Sequence, residues 1–295
     1  MLPFAIVDVF ALPSPTPAPG GAGAAPMPYT GNQLAVVYEA EALTTEQMQA
    51  IAVEFGYSET VFVLPPTTGE ADYRARIFTP TEELPFAGHP TVGAALAAVG
   101  SGRVEPRGAT VVQECAAGLM TLELDGSAAK LTSTAIEVGL ALDPAAAAAA
   151  CGLDASRVIG TPQTAGAGYA HNFVRLADAD VAAAVDTPGH LEKVYLFSFD
   201  PETNAVHGRL FHLGVGEDPA TGSAALALGV HLVDQGLVSG DGTHTYAIAQ
   251  GAEMGRPSAM LGEVVVEGGK AVSVSVTGSV AMVAKGELVT LPSGR

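Results

Sequence analysis

Two short stretches of this chain combine the residue types that a small-ligand site needs. One runs Gly216-Glu217-Asp218-Pro219-Ala220-Thr221-Gly222-Ser223 and leads into Ala224-Ala225-Leu226-Ala227-Leu228-Gly229-Val230-His231-Leu232. The other runs Glu83-Leu84-Pro85-Phe86-Ala87-Gly88-His89-Pro90-Thr91 and leads into Val92-Gly93-Ala94-Ala95-Leu96-Ala97-Ala98-Val99-Gly100. In each, a polar entrance containing glycine precedes a segment that is apolar on every side over about three helical turns. A helix start carries N–H groups without intrahelical partners and the positive end of the dipole. Small residues such as Gly88, Gly222 and Ser223 would let an anionic ligand come close to that backbone. If the two entrances face one another across a cleft, Gly88, His89, Gly222 and Ser223 surround one small ligand. The plainer alternative is two ordinary glycine-rich helix starts. On that alternative His89 makes a helix-terminus hydrogen bond, and Asp218 is the N-cap of a helix beginning at Pro219.

Segments so uniformly apolar belong inside domains, so two of them predict two similar domains, with central helices over 90–100 and 219–236. Pro90 suits a first helical turn and Gly100 a helix end. Around them the pattern is mostly strand. A first strand over Phe4 to Phe10 is followed by a segment from Leu12 to Thr30 in which prolines alternate with glycines, which reads as a mobile or polyproline-like loop. Thr44 or Thr45 caps an amphipathic helix through Phe55, with Met48, Ile51, Ala52 and Phe55 on one face and Gly56 as its stop. Short strands are expected at Val158 to Thr161, Ala271 to Thr277, Val280 to Ala284 and Leu288 to Leu291, the last three broken by Gly278 and Gly286. Strand follows strand with few crossover helices, which favours antiparallel or mixed sheets. The expected organisation is α+β. Domain 1–125 is completed by C-terminal strands 280–295, and 126–279 forms the second domain.

Composition narrows the function. Of 295 residues 48% are hydrophobic, enough for two cores. Thirteen basic against 31 acidic residues leave a net charge of −18 with no Lys/Arg cluster, so nucleic acid and anionic membrane are poor partners. Cys115 and Cys151 form no CxxC, and His171, His190, His207, His212, His231 and His244 show no HxH or HExxH spacing, so neither a disulfide scaffold nor a metal site is expected. Met1-Leu2-Pro3-Phe4 runs into a strand without a basic n-region, and no apolar run reaches membrane-spanning length, which points to a cytoplasmic protein.

Three motifs in order carry a specific resemblance: Ser58-Glu59-Thr60-Val61-Phe62, Phe86-Ala87-Gly88-His89-Pro90 and Glu217-Asp218-Pro219-Ala220-Thr221-Gly222-Ser223. With Val7-Asp8-Val9-Phe10, Gly31-Asn32-Gln33-Leu34-Ala35-Val36-Val37 and the stretch from Gln250 to Ser258, they cover nearly the whole chain. The sequence resembles the phenazine-biosynthesis PhzF-like isomerases. That resemblance implies a diaminopimelate-epimerase-like fold of two similar domains, each a curved, largely antiparallel sheet wrapped around a central helix. It also implies a homodimer, and one glutamate that shuttles a proton between carbons without metal or organic cofactor. By motif the glutamate is Glu59. Gln33 stands where the family usually has proline, and the 12–30 segment lengthens a loop that is normally short.

An acid/base shuttle needs a carboxyl in a poorly solvated site, and Val61 and Phe62 provide apolar company for Glu59. A dipole that disfavours its cation keeps His89 a neutral imidazole able to orient an amine or hydroxyl. Asp218 would hold a substrate ammonium or hydroxyl, while Ser58, Gly88, Gly222 and Ser223 contact its carboxylate or hydroxyl. The expected activity is a cofactor-independent isomerase acting on a small, anionic amino or hydroxy acid. The alternatives are an amino-acid racemase or epimerase of the same fold and a catalytically inactive ligand-binding or scaffold protein. Cys115 and Cys151 lie in neither helix-entry motif, which disfavours a cysteine-pair racemase.

Overall fold

A computed structural model describes residues 1–17, 24–187, 191–212 and 216–293. The chain is α+β with strands predominating, and it divides into two compact units: Met1–Leu131 with Gly278–Arg295, and Thr132–Thr277.

In the first unit Leu2–Val9 lies between Asn32–Val37 and the second half of Lys270–Leu288, antiparallel to both. Asn32–Val37 pairs in parallel with Glu59–Leu64, and the connection between them is the helix α1, Thr45–Phe55. Thr44 and Gln47 close a reciprocal capping box at its start, and Gly56 ends it at φ 66°. Met48, Ile51 and Ala52 face Val37, Phe62, Leu64 and Phe78, and each large side chain buried there stabilises by roughly 1.5–3 kcal/mol. The sheet continues through Tyr73–Phe78, Thr110–Cys115 and Gly118–Asp125.

The helix α2, Gly88–Gly100, packs on Leu2–Val9, Asn32–Val37 and Glu59–Leu64. Gly93 permits this approach, because a Cβ there would lie 2.5 Å from Leu34 Cδ2 and 2.6 Å from Val9 Cγ2.

In the second unit Gln163–Ala167 pairs antiparallel with Ile136–Ala141 and Ala170–Arg175. The sheet runs on through Lys193–Asp200, Ala205–His212, Gly242–Gln250, Ser258–Glu267 and the first half of Lys270–Leu288. Two short helices, α3 (Pro144–Ala150) and α4 (Asp178–Ala183), cover a cluster around Val174, Leu196 and Phe211. The helix α5, Gly222–Asp234, is buried from Ala224 to Leu232 against Ile136–Ala141, Gln163–Ala167, Ala170–Arg175 and Ser258–Glu267.

Several local expectations are corrected. Gly278 and Gly286 do not break a strand: Lys270–Leu288 runs through both, because each glycine leaves room for a ring on the adjoining chain. A Cβ on Gly278 would meet Phe10 Cδ1 at 2.0 Å, and one on Gly286 would meet the Phe4 ring at 2.6 Å. No strand forms at 158–161. Ile136–Ala141 and Gln163–Ala167 are strands although Gln163-Thr164-Ala165-Gly166-Ala167 is poor in β-formers, since packing against α5 decides the matter. The ends of the 12–30 segment pair as a ribbon, Pro13–Pro17 with Ala24–Pro26, tied down by Leu12 N–H donating to Thr30 Oγ1 at 2.9 Å and Tyr29 N–H to Asp8 Oδ2 at 2.6 Å. The middle of that segment, 18–23, lies outside the described residues. Among the described residues no helix is long and apolar enough to cross a membrane.

Candidate active site

In the first unit a chain of polar contacts joins three elements. Ser58 Oγ donates to Asn32 Oδ1 at 3.3 Å, and Asn32 Nδ2 lies 3.3 Å from His89 Nδ1. With Asn32 Nδ2 as the donor, His89 Nδ1 accepts and the ring's proton sits on Nε2. That nitrogen lies 3.6 Å from Glu59 Oε2, a close approach just beyond a hydrogen bond. The placement follows from the elements: Glu59 opens the strand Glu59–Leu64, Asn32 opens the strand paired with it, and His89 is the second residue of α2. His89 is 4% exposed and the Glu59 side chain 16%. Gly31 begins the approach at φ 73°, where a Cβ would meet Val9 O at 2.3 Å, so only glycine fits. Gly88, the first residue of α2, is buried.

In the second unit Asp218 ends the strand Gly216–Asp218, and its Oδ2 accepts from Thr221 Oγ1 at 2.5 Å. Asp218 is not the N-cap of a helix at Pro219. The helix α5 begins at Gly222, because the intervening turn is held in another shape. Gln250 Nε2 donates to the Asp218 carbonyl at 2.8 Å and to Thr221 Oγ1 at 3.0 Å, and Ser258 Oγ donates to the Pro219 carbonyl at 3.0 Å. Glu217 is gripped by Arg209 through two bonds of 2.7 and 2.8 Å, and Arg209 also donates to the Val181 and Ala184 carbonyls at the end of α4. Gly222 is buried, and the half-buried Ser223 has its Oγ 3.0 Å from His171 Nε2.

Glu59, His89, Ser58 and Gly88 thus gather in the first unit, and Asp218, Gly222 and Ser223 in the second. Asn32, Gln250 and Ser258 lie within the motifs without a local pattern that gives them a role, and nothing in the sequence marks Thr221 or His171 as a partner. Their signal is a buried polar side chain. Asn32 is 2% exposed and Gln250 and Ser258 are each 1%, and such groups are retained where they hold a backbone or another side chain in place. A cavity of about 430 Å³ beside Asp178 and His207 and one of about 290 Å³ beside Tyr38 and Arg103 include none of the candidate residues.

Both cysteines are buried thiols, and burial pushes Cys151 up to about 12, far from a reactive thiolate. Among the described residues no three His, Cys, Asp or Glu side chains form a group able to hold a metal ion.

Residues 25–286 match the family model of phenazine biosynthesis-like proteins, PhzC-PhzF. The chain is 37% identical to an uncharacterised isomerase of Mesorhizobium japonicum, over 88% of this chain and 93% of that one. It is 33% identical to a trans-2,3-dihydro-3-hydroxyanthranilate isomerase of Pseudomonas fluorescens, over 90% of this chain and 96% of that one. Among solved structures, one described as a predicted epimerase from Pseudomonas aeruginosa superposes with a TM-score of 0.77 at 30% identity, covering 98% of this chain and all of the other.

Proposed function

Because this chain belongs to the phenazine biosynthesis-like family and is an isomerase, we propose that it moves a hydrogen between two carbons of a small unsaturated amino or hydroxy acid, with Glu59 as the only proton carrier. The observation that carries this reading is the ordered series Ser58, Asn32, His89, Glu59, which brings the His89 imidazole within 3.6 Å of a carboxyl of low exposure. The Glu59 carboxylate takes a proton from an sp3 carbon next to the unsaturation, and the C–H electron pair enters the conjugated system. The carboxylic acid so formed returns the proton to another carbon, so nothing is gained or lost and no cofactor is required. His89 Nε2–H hydrogen-bonds the substrate's hydroxyl or amine beside Glu59. Asp218, held rigidly by Thr221 and Gln250, accepts from an ammonium or hydroxyl group. Gly88, Gly222 and Ser223 present helix-start donors to the carboxylate.

The two units are, on this reading, equivalent halves of a diaminopimelate-epimerase-like fold, each built on one buried helix with a glycine at its start. Homodimeric association belongs to the same reading. The Pseudomonas fluorescens relative supplies the substrate class to try first: cyclic, dihydroaromatic amino acids bearing a hydroxyl.

The Glu59→Gln substitution keeps the shape but cannot carry the proton. With trans-2,3-dihydro-3-hydroxyanthranilate in deuterium oxide, the wild type should form product that carries deuterium at the carbon gaining hydrogen in proportion to how far the Glu59 carboxylic acid exchanges with solvent before returning its proton. The variant should bind yet lose turnover by roughly three or more powers of ten. Near-normal turnover by the variant would remove Glu59 from the mechanism. Label incorporated with inversion at a single carbon would instead establish an epimerase.

A further inference from the structure

Ser223 meets its partner where no sequence motif marks one. His171, on the strand Ala170–Arg175, is 3% exposed, and its Nε2 lies 3.0 Å from Ser223 Oγ. The other ring nitrogen, Nδ1, is buried with no hydrogen-bond partner. The ring is held by Tyr169 and Phe173, at centroid distances of 5.2 and 6.4 Å. Burial first, and then the nearby Lys193 and His212, push His171 down to about 3, so the imidazole is neutral, with one N–H and one lone pair.

Two tautomers are possible, and they assign Ser223 opposite tasks. With the proton on Nδ1, the Ser223 hydroxyl donates to Nε2 and points its hydrogen away from any ligand, and a buried N–H is left without an acceptor. With the proton on Nε2, the ring donates to Ser223 Oγ and only a lone pair is left bare. Orphaned buried N–H donors are rarer than under-satisfied acceptors, which selects the second state. The hydroxyl hydrogen then turns away from the ring, and Ser223, the second residue of α5, adds an O–H donor to the N–H groups of that helix start.

We propose that His171 is a positioning residue: through Nε2–H it fixes the Ser223 hydroxyl as a hydrogen-bond donor toward the substrate's carboxylate. The same polarity means that His171 does not act as a base on Ser223, so this pair is not a nucleophilic dyad. The proposal rests on the reading above that Ser223 binds the anionic group of the substrate.

The tautomer can be read without any ligand. In the full chain labelled with 15N-histidine, a long-range proton–nitrogen spectrum at about pH 7, assigned with a His171→Gln sample, should show His171 protonated on Nε2. Protonation on Nδ1 overturns the proposal. The consequence for binding is read by calorimetry with 3-hydroxyanthranilate, an aromatic and unreactive relative of the substrate class. His171→Phe keeps the ring packing but has no donor, and it should weaken binding about tenfold, as expected for one lost polar contact. His171→Gln, whose amide N–H reaches the position of Nε2, should stay within about twofold of wild type. In a Ser223→Ala background His171→Phe should have no further effect. Equal weakening by the Phe and Gln variants, or a full effect of His171→Phe in the Ser223→Ala background, would show that His171 acts by packing and would overturn the proposal. Failure of the wild type to bind 3-hydroxyanthranilate would overturn the substrate reading, and the spectrum would still decide the role of His171.

Discussion

Replacing Gln250 with leucine should show how much of the Asp218 turn depends on one buried side chain. Gln250 is 1% exposed, so leucine fills nearly the same space and leaves little cavity. It removes two short hydrogen bonds, to the Asp218 carbonyl at 2.8 Å and to Thr221 Oγ1 at 3.0 Å, and two long ones at 3.4 Å from Thr221 N–H and Tyr195 Oη. The short bonds are worth about 1 kcal/mol each, and stranding the buried Tyr195 hydroxyl costs about another 1 kcal/mol, giving roughly 3 kcal/mol of lost stability. At about 2 cal/mol/K of unfolding entropy per residue, a 295-residue chain melting as one unit loses about 5 °C in Tm. Scanning calorimetry of wild type and Gln250→Leu measures this directly. On the function proposed above, kcat/KM on trans-2,3-dihydro-3-hydroxyanthranilate should fall about tenfold or more as Asp218 loosens, while deuterium incorporation persists. A melting temperature within about 1 °C of wild type, with kcat/KM unchanged, would refute the assignment of Gln250 as the brace of this turn.

Two other perturbations follow from buried groups. Asn32→Asp replaces the donor facing His89 Nδ1 with an acceptor, which moves the imidazole proton off Nε2 or leaves the ring cationic, so turnover should fall by about two or more powers of ten with a smaller change in KM; unchanged kcat would dissociate Asn32 from the His89 tautomer. Burial pushes His171 to about 3 and His231 to about 4, below the ordinary histidine value of about 6.5, so between these limits the unfolded chain binds the extra protons. Stability contributed by the neutral rings is therefore whole above about pH 6.5 and falls on acidification by up to about 1.4 kcal/mol per pH unit for each ring. Chemical denaturation from about pH 7 to pH 4 should show that loss in the wild type and a shallower one in His231→Phe. Equal slopes would contradict the assignment for His231.

The helices α2 and α5 are legible because neither has a polar face. A segment such as Val92 to Val99 or Ala224 to Leu232 can be stable only when surrounded, and that constraint is local to the sequence. The capping box at Thr44 and Gln47 and the stop at Gly56 are likewise written in neighbouring residues. Glycine in Lys270–Leu288 misleads for the opposite reason. Locally it reads as a breaker, but its effect there depends on Phe10 and Phe4, which lie far away in the chain.

The division at the candidate site has the same cause. Glu59, His89, Asp218 and Ser223 stand in motifs of contiguous residues, each with a helix or strand start that the sequence announces. The residues that orient them do not. Asn32 reaches His89 across 57 positions, Gln250 reaches the Asp218 turn across 32, and His171 reaches Ser223 across 52. A hydrogen bond over such separations exists only once strands have paired in register and a helix has settled on them, since one residue of slip turns a side chain to the other face. The chemistry to be done was therefore set by residue type and local spacing. The partners that His89 and His171 meet, Asn32 and Ser223, were decided by tertiary contacts.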